Sequence, residues 1–89
     1  MQQKFDLGQV VATAAVVEQV PNEQIVSALR RHHSGDWGNV PAEDARENDR
    51  SLQNGYRLLS AYDTESGHKI WIITEADRSS TTVLFPEEY

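Results

Sequence analysis

Residues 56–85 read YRLLSAYDTESGHKIWIITEADRSSTTVLF, three runs rich in apolar, β-branched and aromatic residues separated by two short polar segments. Residues 56–62 (YRLLSAY) read as a first strand, and residues 63–67 (DTESG) as a hairpin loop containing glycine. Residues 68–74 (HKIWIIT) form the second strand and residues 75–79 a second turn. Residues 80–85 (STTVLF) form the third strand, which Pro86 ends. The unbroken apolar run Ile70-Trp71-Ile72-Ile73 makes the second strand the centre of a three-stranded antiparallel meander. Alternation places Tyr62 on one face with Tyr56, Leu58 and Ser60, Arg57 on the opposite face, and His68 beside Ile70 and Ile72. The third strand is then an open sheet edge, through which two copies can pair into a homodimer.

The residues before this sheet read as helices. Residues 4–12 form a short strand or an extended lead-in, broken at Gly8. Thr13 caps a brief helix that Pro21 ends. A second helix starts at Asn22, turns Ile25, Val26 and Leu29 toward the core, and stops at Gly35. Its last turn carries Arg30, Arg31, His32 and His33, where positive charge suits the helix dipole. Pro41 fits the first position of a third helix that runs to Asn54 and closes at Gly55. That helix is polar nearly all round, with Ala42, Ala45 and Leu52 as its apolar stripe. Glu43 with Arg46, and Glu47 with Arg50, stand at ion-pair spacing. The fold class is therefore α+β: a short N-terminal segment, two to three helices, then the meander packed on them, in one domain spanning 1–89.

Composition bounds the function. The chain has 89 residues, no cysteine, and 14 Asp and Glu against 8 Lys and Arg, for a net charge of −6. The absence of cysteine excludes disulfides, thiolate metal sites and a thiol nucleophile. A small domain without such staples fits a reducing cytoplasm. The first residues lack the basic-then-apolar pattern of a signal peptide, and no apolar run approaches the roughly 20 residues needed to span a bilayer. The negative balance disfavours nucleic acid as a direct ligand and favours a protein partner with a basic surface.

Two segments hold chemistry-bearing residues. Residues 32–38 (HHSGDWG) put two imidazoles, a hydroxyl, a carboxylate and an indole between two helices. A general base, an orienting acid and a nucleophile are all present, but neighbours in sequence seldom face one another as a triad requires. The segment reads as a helix–helix connection that doubles as a contact loop, with Asp36 or Asn39 capping the next helix and Trp37 filling the gap between helices and sheet. His32 and His33 are adjacent and diverge by about 100° on a helix, which does not make a metal site; no metal or cofactor is expected. The second segment places Arg78 in a turn beside Ser79, Ser80, Thr81 and Thr82. With Arg57, Tyr62 and His68 it resembles the base, phosphate holder and hydroxyls that a small ribonuclease displays on a sheet.

The chain resembles a family of small bacterial proteins, without assigned activity, carried on plasmids and integrative elements. The residues that carry the resemblance are LGQVVAT (7–13), HHSGDWG (32–38), RLLSAY (57–62) and IWIITEADRSSTTVLFPEEY (70–89), together most of the chain. One departure is Ala14-Ala15, where the family pattern has Pro-Gly. The resemblance implies mobile DNA, a bacterial cytoplasm and conflict with host defence. On these grounds the expected function is protein–protein binding, as an inhibitor of a nucleic-acid-dependent defence complex of the CRISPR-effector or restriction-enzyme kind. The expected contact residues are Asp36 and Trp37, the acids Glu43, Asp44, Glu47 and Asp49 of the third helix, and Glu87, Glu88 and Tyr89 at the end. The alternative is a toxin-like, metal-independent ribonuclease with His33 or His68 as base and Arg57 or Arg78 holding phosphate.

Overall fold

The computed structural model describes residues 4–89, so the first three residues of the segment read for a leader lie outside it. In chain order the elements are β1 (Gln9–Ala12), α1 (Ala14–Gln19), α2 (Asn22–His33), α3 (Ala42–Asn54), β2 (Leu58–Asp63), β3 (Lys69–Thr74) and β4 (Ser80–Leu84). A single 3₁₀ turn, Pro86–Glu88, follows. The α+β class holds, and β2, β3 and β4 form the expected antiparallel meander with Ser60 opposite Ile72 and Ile72 opposite Val83. The sheet, however, has four strands and is mixed, in the order β1-β4-β3-β2. β1 adds to β4 in parallel, with Val10 beside Thr81 and Ala12 beside Val83. β4 is therefore an interior strand and not the open edge its place in the meander implied. Four residues of β1 are too few to show a period, and their partner lies some seventy residues downstream, so no local pattern announces the pairing.

One sheet face carries the main core. Tyr62, Ile70, Ile72 and Val83 meet Val16 and Val20 from the α1 segment and Ile25 and Ala28 from α2, with Phe85 closing one end. α1 starts as expected: Thr13 Oγ1 accepts the Val16 N–H at 3.3 Å. At α2 the cap position falls on Pro21, which offers no side-chain acceptor, and Asn22 is already helical. Ile25 is buried and Leu29 packs partly buried against the core as expected, but Val26 is 36% exposed, and Ala28 and His32 complete the buried stripe of α2. In α3 the exposed Ala42 contributes nothing to packing. The buried positions are the polar Asn48 and Ser51. The Asn48 amide donates to the Leu59 carbonyl at 2.8 Å and accepts the Leu59 N–H at 3.2 Å, so a side chain takes the place of a neighbouring strand along β2.

The α2–α3 connection completes the cover of that edge. Gly38 makes a parallel bridge to Ala61. The Ala61 N–H donates to the Trp37 carbonyl at 3.2 Å and the Asn39 N–H to the Ala61 carbonyl at 2.6 Å. Gly38 has φ +74°, and a Cβ there would run into the Ala61 carbonyl oxygen and the Tyr62 ring. Only glycine combines that backbone with that approach. Gly38→Ala is expected to lower stability by at least about 2 kcal/mol, the sum of left-handed strain and displaced packing. A urea midpoint unchanged from wild type would contradict the edge-cover role.

Candidate functional site

The HHSGDWG stretch divides into a buried half and a surface half. His32 is fully buried at the end of α2, between Ser60 Oγ at 2.5 Å from Nδ1 and Thr74 Oγ1 at 2.8 Å from Nε2. Thr74 Oγ1 lies 2.7 Å from Thr81 Oγ1, and the Thr81 hydroxyl donates to the Leu7 carbonyl at 2.7 Å. Each hydroxyl has one proton. Thr81 spends its proton on Leu7, so Thr74 donates to Thr81 and accepts from His32. The imidazole is therefore the Nε2–H tautomer, and its bare Nδ1 accepts from Ser60. A continuous chain of donors runs from β2 through α2, β3 and β4 to the N-terminal segment. Burial, with smaller contributions from the nearby positive charge of His33 and Arg78, lowers the His32 pKa to about 3. The ring is neutral in the fold.

The surface half is held by one ion pair. Arg31 Nε donates to Asp36 at 2.7 Å and Nη2 to its other oxygen at 3.3 Å. This bond, with a further one from the Gly38 N–H at 3.1 Å, holds the Asp36 carboxyl below the usual range and Arg31 above its own. The Tyr62 hydroxyl donates to the Asp36 carbonyl at 2.7 Å, and the Arg31 guanidinium covers the Tyr62 ring at 4.9 Å from its centroid. Ser34 Oγ donates to the Arg31 carbonyl at 2.9 Å and so closes the helix end. Trp37 is 6% exposed and donates its indole N–H to Asp49 at 3.0 Å. It joins α3 to the connection rather than presenting an aromatic anchor at the surface.

The residues of the ribonuclease reading stand apart. Arg57 lies against Tyr89 at one end of β2, and His68 lies against Phe85 beyond the opposite end. With Leu58 paired to Thr74 and Asp63 to Lys69, those ends are about 17 Å apart. Arg78 has φ 61° and gives its guanidinium to the carbonyls of Ser51 and Tyr56 at 3.0 and 2.7 Å, and to those of Glu75 and Ala76. It ties the β3–β4 turn to the end of α3. His33 packs edge-on against Phe5, and Tyr62 is buried on the face away from Arg57. Among the described residues no three His, Asp or Glu side chains gather as a metal-binding group.

The expected acidic contacts also separate. Glu47 pairs with Arg50 at 2.5 Å, while Glu43 and Arg46 form no ion pair among the described residues. Helical spacing from the buried Asn48 puts Glu43, Arg46, Glu47 and Arg50 together on the outward side of α3, where their charges cancel. Asp44 lies on the docked side near Leu59, Ala61 and Trp71, and Asp49 faces Trp37. In the tail, Glu88 accepts the Thr13 hydroxyl and the Phe85 N–H, both at 2.8 Å, and Glu87 is exposed. Tyr89, 63% exposed, meets the Trp71 ring edge-on at 5.7 Å.

A different acidic site emerges between α2 and the β2–β3 hairpin. Gln24 Oε1 accepts the Ser66 N–H at 3.2 Å and its hydroxyl at 3.0 Å, which pins the hairpin to the first turn of α2. An open cleft forms beside this tie, with Ala28 and Tyr62 at its base and Glu23, Arg31, Asp63 and Glu65 around it. Arg31 is neutralised by Asp36, so Glu23, Asp63 and Glu65 leave an uncompensated negative rim. Sequence reading missed this rim because Glu23 lies about forty residues before Asp63 and Glu65. The matching Gln24 and Ser66 had no spacing to connect them. The chain matches no protein-family model, and no curated protein or solved structure is significantly similar to it. No helix among the described residues is long and apolar enough to cross a membrane.

The His32 geometry has a pH consequence. Its folded pKa lies below the unfolded value, so only the unfolded chain gains a proton as pH falls below about 6.5. Stability is therefore fully present above that pH and declines toward pH 3. Between pH 7 and pH 5 the expected loss is about 2 kcal/mol. Urea midpoints of wild type against His32→Gln across this interval check it, since the variant removes the titrating group and flattens the slope.

Proposed function

We propose that this protein acts by binding another protein through a basic surface, and that it receives that surface at the cleft between α2 and the β2–β3 hairpin. The observation that supports this reading most directly is the rim of Glu23, Asp63 and Glu65 around a cleft whose lining cation is already paired. Of fourteen carboxylates, only Asp36 and Glu47 stand in ion pairs among the described residues, so most of the −6 charge faces solvent unopposed. Such a surface attracts Lys and Arg side chains, steers association and carries salt dependence. The aliphatic stem of a Lys or Arg has Ala28 and the Tyr62 ring edge to lie against.

The partner class rests on this acidic chemistry together with the resemblance to mobile-element proteins. Basic grooves that hold phosphate are the surfaces an acidic domain competes for, and a CRISPR effector or a restriction enzyme is built around one. The proposed role is an inhibitor of such a complex in a bacterial cytoplasm, where a mobile element gains from disarming host defence. Asp36 contributes by neutralising Arg31, and Asp44, Glu87 and Tyr89 belong to the opposite side of the sheet.

The test is inhibition of DNA cleavage by purified CRISPR effectors and restriction enzymes, titrated with this protein at low and high salt. Inhibition is expected with at least one of them, and it weakens as salt rises. Combined Glu23→Gln, Asp63→Asn and Glu65→Gln substitutions are expected to weaken binding roughly tenfold or more, at up to about 1 kcal/mol per exposed charge. Glu43→Gln with Glu47→Gln leaves it near wild type. Inhibition that ignores the cleft variant moves the contact elsewhere, and no inhibition of any complex removes the reading.

A further inference from the structure

We propose that β1 is the dimerisation edge of this protein, pairing antiparallel with β1 of a second copy about a two-fold axis that passes between the two Val11 side chains. The two edges of the sheet are treated differently. Beside β2 lie the Gly38 bridge, the Asn39 N–H and the Asn48 amide. Along β1 no backbone or side-chain bond is made to the outer groups of Val10 or Ala12 among the described residues. β1 is short, but it has no charge, no proline and no bulge within Gln9–Ala12 to turn a second strand away.

Charge selects a second copy as the occupant. Residues 7–17, LGQVVATAAVV, contain no charged side chain in a chain of net charge −6. Two copies repel one another through most of their surface and can approach closely where that charge is missing. The carboxylate recorded against this stretch, Glu88, is tied down by the Thr13 hydroxyl and the Phe85 N–H. A basic partner gains nothing electrostatic here, which separates this edge from the acidic cleft.

Backbone direction then fixes the register. The N–H groups of Gln9 and Thr13 point to β4, donating to the Ser79 and Val83 carbonyls at 3.0 Å. Odd positions of the strand therefore face inward, and Val10 and Ala12 turn both N–H and C=O outward. An antiparallel copy satisfies all four outer groups when Val10 pairs with Ala12 of the second copy and Ala12 with its Val10, giving four hydrogen bonds. Val11 then faces its own equivalent as a non-hydrogen-bonded pair, with Cα atoms about 4.5 Å apart. The alternative, Val10 against Val10, extends the ladder onto Gly8, whose φ of +65° is not that of a strand. Val10 and Val11, 44% and 43% exposed, are covered on both faces by this union. The joined sheet has eight strands.

Sedimentation equilibrium over a wide concentration range tests the association, and cysteine substitution tests the register. The chain has no cysteine of its own, so Val11→Cys introduces a single thiol at the axis. The expected results are a reversible wild-type dimer, rapid disulfide-linked dimer from Val11→Cys, and little from Val17→Cys, whose 61% exposed side chain lies off the strand. Val11→Lys, which sets two ammonium groups face to face, is expected to shift the dimer dissociation constant at least tenfold while circular dichroism shows the fold retained. A wild-type chain that is monomeric at every concentration overturns the proposal. A dimer that survives in folded Val11→Lys, or cross-links equally through Val17→Cys, overturns this interface.

Discussion

The rest of the structure hangs on one fully buried imidazole. His32 sits where α2, β2, β3 and, through two threonines, β4 and the strand-entry segment at Leu7 converge. A hydrocarbon side chain of similar volume would fill the space but leave the Ser60 hydroxyl without its acceptor and Thr74 Oγ1 without its donor. Each such group costs about 1–3 kcal/mol when buried. The polar chain also has a direction, since every donor is assigned once Thr81 bonds to Leu7. It therefore specifies which residue of α2 meets which residue of each strand, where the surrounding valines and isoleucines would tolerate a shifted packing.

Much of the architecture is legible in sequence because local chemistry and global fold agree there. Glycine-bearing polar loops between β-branched runs mark β2, β3 and β4, and Thr13 and Gly55 mark helix ends. The failures have physical causes of their own. β1 depends on a parallel partner at the far end of the chain, which no window of sequence can contain. α3 was expected to pack through Ala42, Ala45 and Leu52; Ala45 and Leu52 are half-buried, but the fully buried contact is Asn48, whose amide copies the two bonds of a strand residue. Val26 looked apolar enough for the core but lies to one side of the buried stripe, which ends on His32, a polar ring whose two nitrogens are both bonded.

The site divides in the same way. The HHSGDWG stretch is a helix connection that also covers a strand edge, a role readable from its two glycines but not from its histidines. Arg78, Glu88, Asp49 and Trp37 looked available for function and prove to be committed to carbonyls, hydroxyls and one another. The acidic cleft was illegible because its walls come from the start of α2 and the tip of a hairpin forty residues later, joined by the Gln24–Ser66 tie. Net charge shows that acids outnumber bases, and only the fold shows where that charge remains uncancelled.

The parallel pairing of β1 with β4 carries a consequence for biogenesis. On the ribosome, β1 finds its partner only when residues 80–84 have emerged. Until then the chain holds a valine-rich, uncharged segment with no strand beside it, together with helices whose apolar sides face an unfinished sheet. Contacts this distant along the chain slow folding, because the loop must close before they form. Closure of the sheet is thus deferred until β4 has emerged, and the acidic residues spread along the nascent chain help to keep it dispersed in the interval.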